Sequence, residues 1–225
     1  MTRMVRPVLI ILWKDLLLEF RSRDIILSVL VFGLLVVVVF NFALNVTPRL
    51  LTQLAPGILW VAFAFAGTLA MNRAFVREKE QGGLEGLILT PVSRDAIFLG
   101  KALASFLFML IVEAALLPVF AALMGFSPFS FILLLTIVLA TLGFATVGTL
   151  FSAIAVQTRS REIMLPVLFF PIILPVLIGA VEATTQSIGG ASGSVGVSRW
   201  LPLIGVFDAL FLVICPWVFA FVVEE

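Results

Sequence analysis

The stretch REKEQGGLEGLILTPVSRDAIFLGK, from Arg77 to Lys101, interrupts a chain that is otherwise almost continuously apolar. The 225 residues are 62% hydrophobic and 12% charged, with a mean hydropathy of +1.26. Soluble domains are about half apolar and about a quarter charged. The composition therefore predicts an integral membrane protein, in which this polar stretch stands outside the bilayer between two membrane spans.

The middle of this stretch has the pattern of a short amphipathic helix. Gly82 and Gly83 allow a sharp turn, and Glu85 lies off the apolar face of the helix that follows. At the helical spacing i, i+3 and i+4, that face consists of Leu84, Leu87 and Ile88. A leucine stripe in water is costly, so it must meet either the lipid headgroups or a groove on a cytosolic partner, as a coupling element that passes force to the spans.

A second helix is predicted to begin shortly after Pro91, which ends the short one. Ser93 is predicted to cap this helix, and Asp95 falls in its first turn, where the helix dipole favours an acid. The helix extends from Arg94 to Met124 and, at 1.5 Å per residue, is longer than a bilayer core of about 30 Å. Its first turns are therefore expected to stand in the cytosol.

A membrane-spanning helix needs about 20 apolar residues, and six segments of the chain meet this requirement. They are Ile25–Leu44, Gly57–Val76, Ile97–Met124, Phe129–Val156, Ile163–Val181 and Trp200–Val223. The segment Thr184–Ser198 is small, polar and rich in glycine, and is predicted to be a loop on the outer side. The chain is too short for separate soluble domains, so residues 1–225 are predicted to form one transmembrane domain.

Lysine and arginine are divided very unevenly between the two sides of this arrangement. With the N-terminus inside, all of the 14 cationic residues except Arg49 and Arg199 fall in inside segments. Short cytoplasmic segments of membrane proteins carry an excess of Lys and Arg. Both termini and the stretch Arg77–Lys101 are therefore expected to be cytosolic.

The N-terminal segment Val8–Phe20 is apolar but carries Lys14, Asp15 and Glu19 on one side of a helical wheel. It is predicted to be a helix that lies in the cytosolic interface. The arginines expected at the headgroups are Arg3, Arg6, Arg21 and Arg23. The alternative is an irregular start to the first span, but residues 8–44 are too long for a single crossing.

Two acidic residues fall within the predicted spans. Glu113 lies near the middle of the third span, and Asp208 lies about two turns inside the sixth. Ionisable groups at that depth are costly and are by default functional candidates. The alternative for Glu113 is a protonated acid that only hydrogen-bonds between helices, because no cationic residue is available at its depth.

Prolines and small residues mark two further features. Pro171 and Pro175 are predicted to break the fifth span, since each removes a helix hydrogen bond. The result is either a bent or re-entrant segment that lines a pathway or a simple kink. Small residues at four-residue spacing allow close helix approach, within one subunit or between two copies. They are Ala62, Ala66 and Ala70, and Thr141, Ala145, Thr149 and Ala153.

This order of elements resembles the membrane subunits of type-2 ABC exporters and, more narrowly, the CcmB family of haem exporter proteins in cytochrome c maturation. Four blocks carry the resemblance: KDLLLEFRSRD (Lys14–Asp24), LAPGILWVA (Leu54–Ala62), GGLEGLILTP (Gly82–Pro91) and LPVLFFPIILPVLIGAVEA (Leu165–Ala183). Each block alone is weak. Together they extend over nearly the whole chain in the right order, and the length and the number of spans also fit.

The resemblance implies a homodimeric permease of the bacterial inner membrane. It would couple ATP hydrolysis by a partner to haem export or to release of a haem-loaded chaperone. The implied partners are a CcmA-like ATPase subunit, a CcmC-like haem-handling membrane protein, a small CcmD-like protein and a CcmE-like chaperone. The coupling residues would be Gly82, Gly83, Leu84, Glu85, Leu87 and Ile88.

The residue types agree with a non-catalytic subunit. The chain lacks the phosphate-binding motif G-x-x-x-x-G-K-[ST], so a partner must supply ATP use. It has no histidine and a single cysteine, Cys215, which makes stable axial haem ligation by this chain unfavourable; no cofactor is expected to bind it directly. The missing histidines also exclude hydrolysis by a metal centre or by a cysteine–histidine pair. The two intramembrane carboxylates, Glu113 and Asp208, are by themselves insufficient to indicate catalysis. No basic cluster points to nucleic acid.

Two other transporter classes stay open. A secondary transporter would be expected to show inverted repeats and several buried charges, and neither is evident in this sequence. A type-2 ABC permease with a different substrate fits the same pattern of spans.

Overall fold

The computed structural model describes residues 2–21, 23–43, 48–80, 82–125, 130–156, 161–188 and 194–222. These residues form eight α-helices and no strand. The helices are α1 (Thr2–Arg21), α2 (Arg23–Ala43), α3 (Pro48–Glu80), α4 (Gly83–Ile88), α5 (Arg94–Met124), α6 (Phe131–Val156), α7 (Arg161–Ile188) and α8 (Ser194–Val222).

Six of these helices, α2, α3 and α5 to α8, are long and apolar enough to cross a membrane. The predicted all-α integral membrane fold with six spans is therefore confirmed. The N-terminal segment is a helix of its own, as predicted, although α1 begins at Thr2 and continues through Pro7.

Helix α5 has the bounds predicted from the sequence. The side chain of Ser93 makes no capping hydrogen bond, contrary to the prediction. Its backbone carbonyl instead accepts hydrogen bonds from the N–H groups of Ala96 and Ile97, at 3.0 and 3.2 Å. Gly125 ends the helix in the left-handed conformation, with φ 73°.

Helix α6 occupies the centre of the bundle and packs against α3, α5, α7 and α8. Every residue from Gly143 to Leu150 is buried. The small residues predicted to allow close approach are all buried inside the single chain: Ala62, Ala66, Ala70, Thr141, Ala145, Thr149 and Ala153. They pack helices within one subunit, and the alternative of a contact between two copies is excluded for these stripes.

The outer helices leave most of their apolar surface open. Only 17% of the α2 span and 22% of the α8 span are buried, against 72% of the α3 span. Apolar surface of this extent is stable only against lipid or another membrane protein. Any partner within the membrane would therefore meet α2 or α8 before it met α3.

Polar contacts between helix termini define two ends of the bundle. At one end, the guanidinium Nη1 of Arg94 donates to the backbone carbonyl of Ala220 at 3.5 Å. The short helix α4 lies at this end, which is called the α4 end below. At the opposite end, the hydroxyls of Ser130 and Ser187 lie 2.6 Å apart. The start of α5 and the end of α8 thus share one end, as the predicted alternation of spans requires.

The fifth span is not broken at its prolines. Helix α7 continues through Pro166, Pro171 and Pro175, so the predicted helix break is wrong and α7 contains no re-entrant segment. Pro171 and Pro175 lie one turn apart on the exposed side of α7. Membrane helices accept prolines where local adjustment or neighbouring groups replace the missing hydrogen bond, and the buried face of α7 is left intact.

The predicted outer loop Thr184–Ser198 is shorter than expected. Helix α7 extends to Ile188, and α8 already begins at Ser194. The hydroxyl of the buried Thr184 accepts a hydrogen bond from the indole N–H of Trp60 at 3.0 Å. This packing against α3 outweighs the modest helix propensity of a threonine-rich segment.

Candidate coupling site

The short helix α4 follows α3 through a tight glycine turn. Gly82 has φ 67°, a left-handed conformation that residues with a Cβ rarely adopt. Its N–H donates to the carbonyl of Lys79 at 3.0 Å, and its own carbonyl accepts from the N–H of Gly86, also at 3.0 Å. The structure therefore contains the turn and the short helix that the sequence pattern predicted.

The first residue of α4, Gly83, lies directly against the last turns of α3. A Cβ at this position would lie 2.9 Å from Cγ of Glu78 and 3.4 Å from its backbone carbonyl oxygen. A Cβ at Gly86, by contrast, would meet nothing within 4 Å. Glycine at position 83 thus lets α4 sit on Glu78, and any larger residue there would displace one of the two.

The apolar residues of this segment do not all face outward, as the predicted stripe of Leu84, Leu87 and Ile88 implied. Leu87 is half-buried and packs against the core of the chain itself. The side chains of Leu84, Glu85 and Ile88 lie outside the described residues. Leu89, which the stripe did not include, is 87% exposed. Its position just before Thr90 and Pro91, where the helix must end, is the signal that could have identified it.

Four charged side chains from three helices form one cluster next to α4. This charge cluster consists of Lys14 and Asp15 of α1, Glu78 of α3 and Lys101 of α5. The Lys14 Nζ atom lies 2.9 Å from Oδ1 of Asp15 and 2.9 Å from Oε1 of Glu78. The Lys101 Nζ atom lies 3.5 Å from Oδ2 of Asp15 and donates to Oε2 of Glu78. It also lies 5.2 Å from the centre of the Phe75 ring.

The charge cluster is largely withdrawn from solvent. The side chain of Lys101 is 2% exposed, and those of Glu78 and Asp15 are 12% and 13% exposed; Lys14, at the edge of the cluster, is 37% exposed. Burial lowers the pKa of Lys14, but Asp15 and Glu78 more than offset this, so its pKa is raised and it stays cationic. Burial first, and then the charge of Asp15, raise the pKa of the nearby Glu19 to about 8. Glu19 is therefore mostly neutral at pH 7, and the cluster holds two cations against two anions.

The two intramembrane acids lie apart from this cluster. Oε2 of Glu113 on α5 accepts a hydrogen bond from the hydroxyl of Thr141 on α6 at 2.7 Å. Glu113 is 12 residues beyond Lys101 on the same helix, about 18 Å along its axis. Asp208 on α8 is buried with neither carboxyl oxygen hydrogen-bonded among the described residues. It lies against Gly143 of α6, where an added Cβ would collide with its Oδ1 atom.

Helix α6 keeps these two acids apart. Thr141 and Gly143 are two residues apart, so they point to nearly opposite sides of the helix. Glu113 contacts the side of α6 that carries Thr141, and Asp208 contacts the side that carries Gly143. The sequence placed both acids inside spans correctly, but it carried no sign that a helix lies between them.

Comparison with known proteins places the whole chain in one family. The model of the family described as CcmB protein matches residues 6–225. A protein of Pseudomonas aeruginosa named Heme exporter protein B is 30% identical over 215 residues, which cover 94% of this chain and 93% of the relative. Proteins of the same name in Haemophilus influenzae and Rhodobacter capsulatus are 32% and 29% identical over 171 and 184 residues, 76% and 81% of this chain and 77% and 83% of each relative. With a family match over nearly its full length, this chain belongs to the CcmB family.

Proposed function

We propose that this chain is the permease subunit of an ABC-type complex that exports haem, or releases a haem-loaded chaperone, in c-type cytochrome biogenesis. The observation that carries the proposal is α4, a six-residue helix fixed at its first residue between two long spans. The exposed Leu89, the residue directly after α4, offers an apolar anchor at the α4 end of the bundle. The name Heme exporter protein B, shared by the relatives, supplies the biological process.

The spans on either side of α4 are long enough to act as levers. Helix α3 has 33 residues and α5 has 31, about 50 and 46 Å at 1.5 Å per residue. Both exceed a hydrocarbon core of about 30 Å. A partner that moves α4 would therefore move two helices that reach the opposite end of the bundle, and the closely packed α6 would transmit the displacement to α7 and α8.

Haem is, in this proposal, cargo of the complex rather than a group held by this subunit. The chain has no histidine, and its single cysteine, Cys215, is buried in α8. A role in moving other components fits this composition better than axial ligation of haem iron. A CcmA-like subunit then binds and hydrolyses ATP, and a second copy of this chain completes the permease. The further partners are a CcmC-like protein that handles haem, a small CcmD-like protein and a CcmE-like chaperone.

Co-purification tests this function directly. The tagged chain, extracted in a mild detergent from a strain that carries the whole system, should retain an ATPase subunit at a constant ratio. A strain that lacks the chain should lose its c-type cytochromes and regain them when the gene is restored. Recovery of the chain without any ATPase, or normal cytochromes in its absence, would contradict the proposal and favour a secondary transporter.

The orientation follows from the same proposal. With the α4 end in the cytosol, Arg94 and the charge cluster lie on the inner side of the bacterial inner membrane, which the distribution of Lys and Arg favours. Reporter tags at both termini should be accessible only from the cytosol, and a tag inserted at residues 189–193 should be accessible only from outside. An externally accessible tag at either terminus would invert the arrangement and place α4 out of reach of a cytosolic ATPase.

A further inference from the structure

We propose that the charge cluster is a clamp that makes α1 and α4 move as one body, so that α1 belongs to the coupling apparatus and is more than a membrane anchor. This inference rests on the proposed function of α4. It adds Lys14, Asp15, Glu78 and Lys101 as residues that position the coupling helix.

The first step is the connection between α1 and the two spans that flank α4. Glu78 lies two residues before the end of α3, and Lys101 lies in the second turn of α5. Lys14 binds the Glu78 carboxylate, and Asp15 faces Lys101. Adjacent residues of α1 thus contact both spans that flank α4, five residues before α4 begins and 13 residues after it ends.

The second step is the connection between the cluster and α4 itself. Glu78, the residue shared by both lysines, is also the residue against which Gly83 packs. A contact closer than 3 Å between an added Cβ and Cγ of Glu78 leaves no free space between α4 and this side chain. A shift of α4 therefore acts first on Glu78, and through its two ion pairs on Lys14 and Lys101.

The third step is the strength of the clamp. Exposed ion pairs contribute little, because water competes for both partners. In the α1 pair Asp15–Lys101 the side chains are 13% and 2% exposed, so removing one partner leaves a poorly solvated charge, which is strongly unfavourable. The other α1 pair is more open on one side, since Lys14 is 37% exposed while Glu78 is 12% exposed. The backbones also approach closely at this point, since a Cβ on Gly100 would lie 2.8 Å from Cβ of Ile11. Charge and packing together hold α1 on α5.

The consequence concerns the outward side of α1. That side is apolar and exposed, with Leu9, Trp13 and Leu17 between 51% and 64% exposed, as expected for a helix lying in the membrane interface. The charged side of α1, which carries Lys14, Asp15 and Glu19 as predicted, faces the protein. A clamped α1 would therefore shift in the interface whenever α4 is driven.

The experiment follows α1 while the partner turns over ATP. Arg21→Cys places a reporter thiol on the exposed last turn of α1, in a Cys215→Ala background that removes the only other cysteine. The complex with its ATPase, in lipid nanodiscs, is labelled with a water-soluble maleimide in ADP or in magnesium ATP with orthovanadate. We expect the labelling rate to differ about fivefold or more between the two states, within the usual range of coupling between sites.

The α1 half of the clamp is then removed, while Glu78 and Lys101 are left unchanged. The double variant Lys14→Met with Asp15→Asn deletes one cation and one anion of α1 and should keep the ATPase bound and active. It should abolish the nucleotide dependence of labelling and reduce cytochrome c maturation about tenfold. The conservative variant Lys14→Arg with Asp15→Glu should restore both.

The outcomes separate this inference from the function on which it rests. Loss of the nucleotide response in the neutral variant, with the ATPase retained, supports the clamp. An unchanged response in that variant overturns it, as does a native complex that hydrolyses ATP while labelling stays constant. Failure of the ATPase to bind the native chain would instead overturn the proposed function of α4.

Discussion

Leu89→Asp is expected to release the partner ATPase from the permease and to abolish cytochrome c maturation, while the permease stays in the membrane at its normal level. Apolar anchors buried in an interface carry most of its binding energy, and losing one commonly costs more than about 1 kcal/mol. A carboxylate buried without a partner adds a further penalty. Leu89 is 87% exposed, so the change removes almost no packing within the chain itself.

The measurement is a pull-down from solubilised membranes with a parallel blot for the permease. Leu89→Met, which keeps an apolar side chain of similar size, is the matched control and should retain the ATPase. The predicted apolar stripe of α4 suggests a different test, the double variant Leu84→Asp with Leu87→Asp. Its result would not separate loss of the partner from loss of packing within the chain, because Leu87 is half-buried in the chain itself. If the Leu89→Asp complex keeps the ATPase at the native ratio, α4 rests on lipid and does not engage a motor.

The difference between Leu87, which the sequence pattern selected, and Leu89, which the structure selects, shows what the sequence could predict about this site. Periodicity finds residues that share one side of a helix, so it identified α4, its glycine turn and the bounds of α5. It cannot tell whether the shared side faces a partner or the chain's own core. Leu87 packs against the core of the chain, whereas Leu89, just past the end of α4, is exposed. The burial of Leu87 depends on tertiary packing, which periodicity does not report.

The charge cluster could not be predicted from the sequence either, because its contacts join residues that are far apart along the chain. Lys14 and Glu78 are 64 residues apart, and Lys101 and Glu78 are 23 apart, and nothing in the spacing of either pair indicates contact. The sequence placed Lys14, Asp15 and Glu19 on one side of α1, but it carried no sign that this side meets Glu78 and Lys101. In a helix that lies in the membrane interface the apolar side faces lipid, which leaves the protein side for the charges.

The predicted helix break at Pro171 and Pro175 is wrong for the opposite reason. Here a local signal was present in the sequence, but packing of α7 against the bundle outweighed it. Proline interrupts helices in water because the freed carbonyl and the ring clash are not compensated. Helix α7 is held by buried residues such as Phe169, Ile173 and Val176 against the rest of the bundle. The prolines lie on the side away from these contacts, so the helix continues.

Gly100→Val is expected to push α1 off α5 and to disable the permease. An added Cβ would lie 2.8 Å from Cβ of Ile11, 2.9 Å from its Cγ2 atom and 3.2 Å from the backbone oxygen of Val8. These atoms belong to the body of α1, so no flexible side-chain tip can turn aside. Overpacking of this kind costs about 1–3 kcal/mol, and the neighbouring Lys101 would lose the geometry of its ion pairs.

Gly205→Val is the matched control, because Gly205 lies in α8 and an added Cβ would meet nothing within 4 Å. Replacing a glycine inside a helix by valine gains a few tenths of a kcal/mol in helix propensity at either site, so the two variants differ only in their surroundings. Thermal unfolding in detergent should show a lower Tm for Gly100→Val alone, with faster tryptic cleavage after Lys14. Equal Tm values and equal cleavage would mean that α1 is not seated on α5, and the clamp would then lack the contact that aligns its charges.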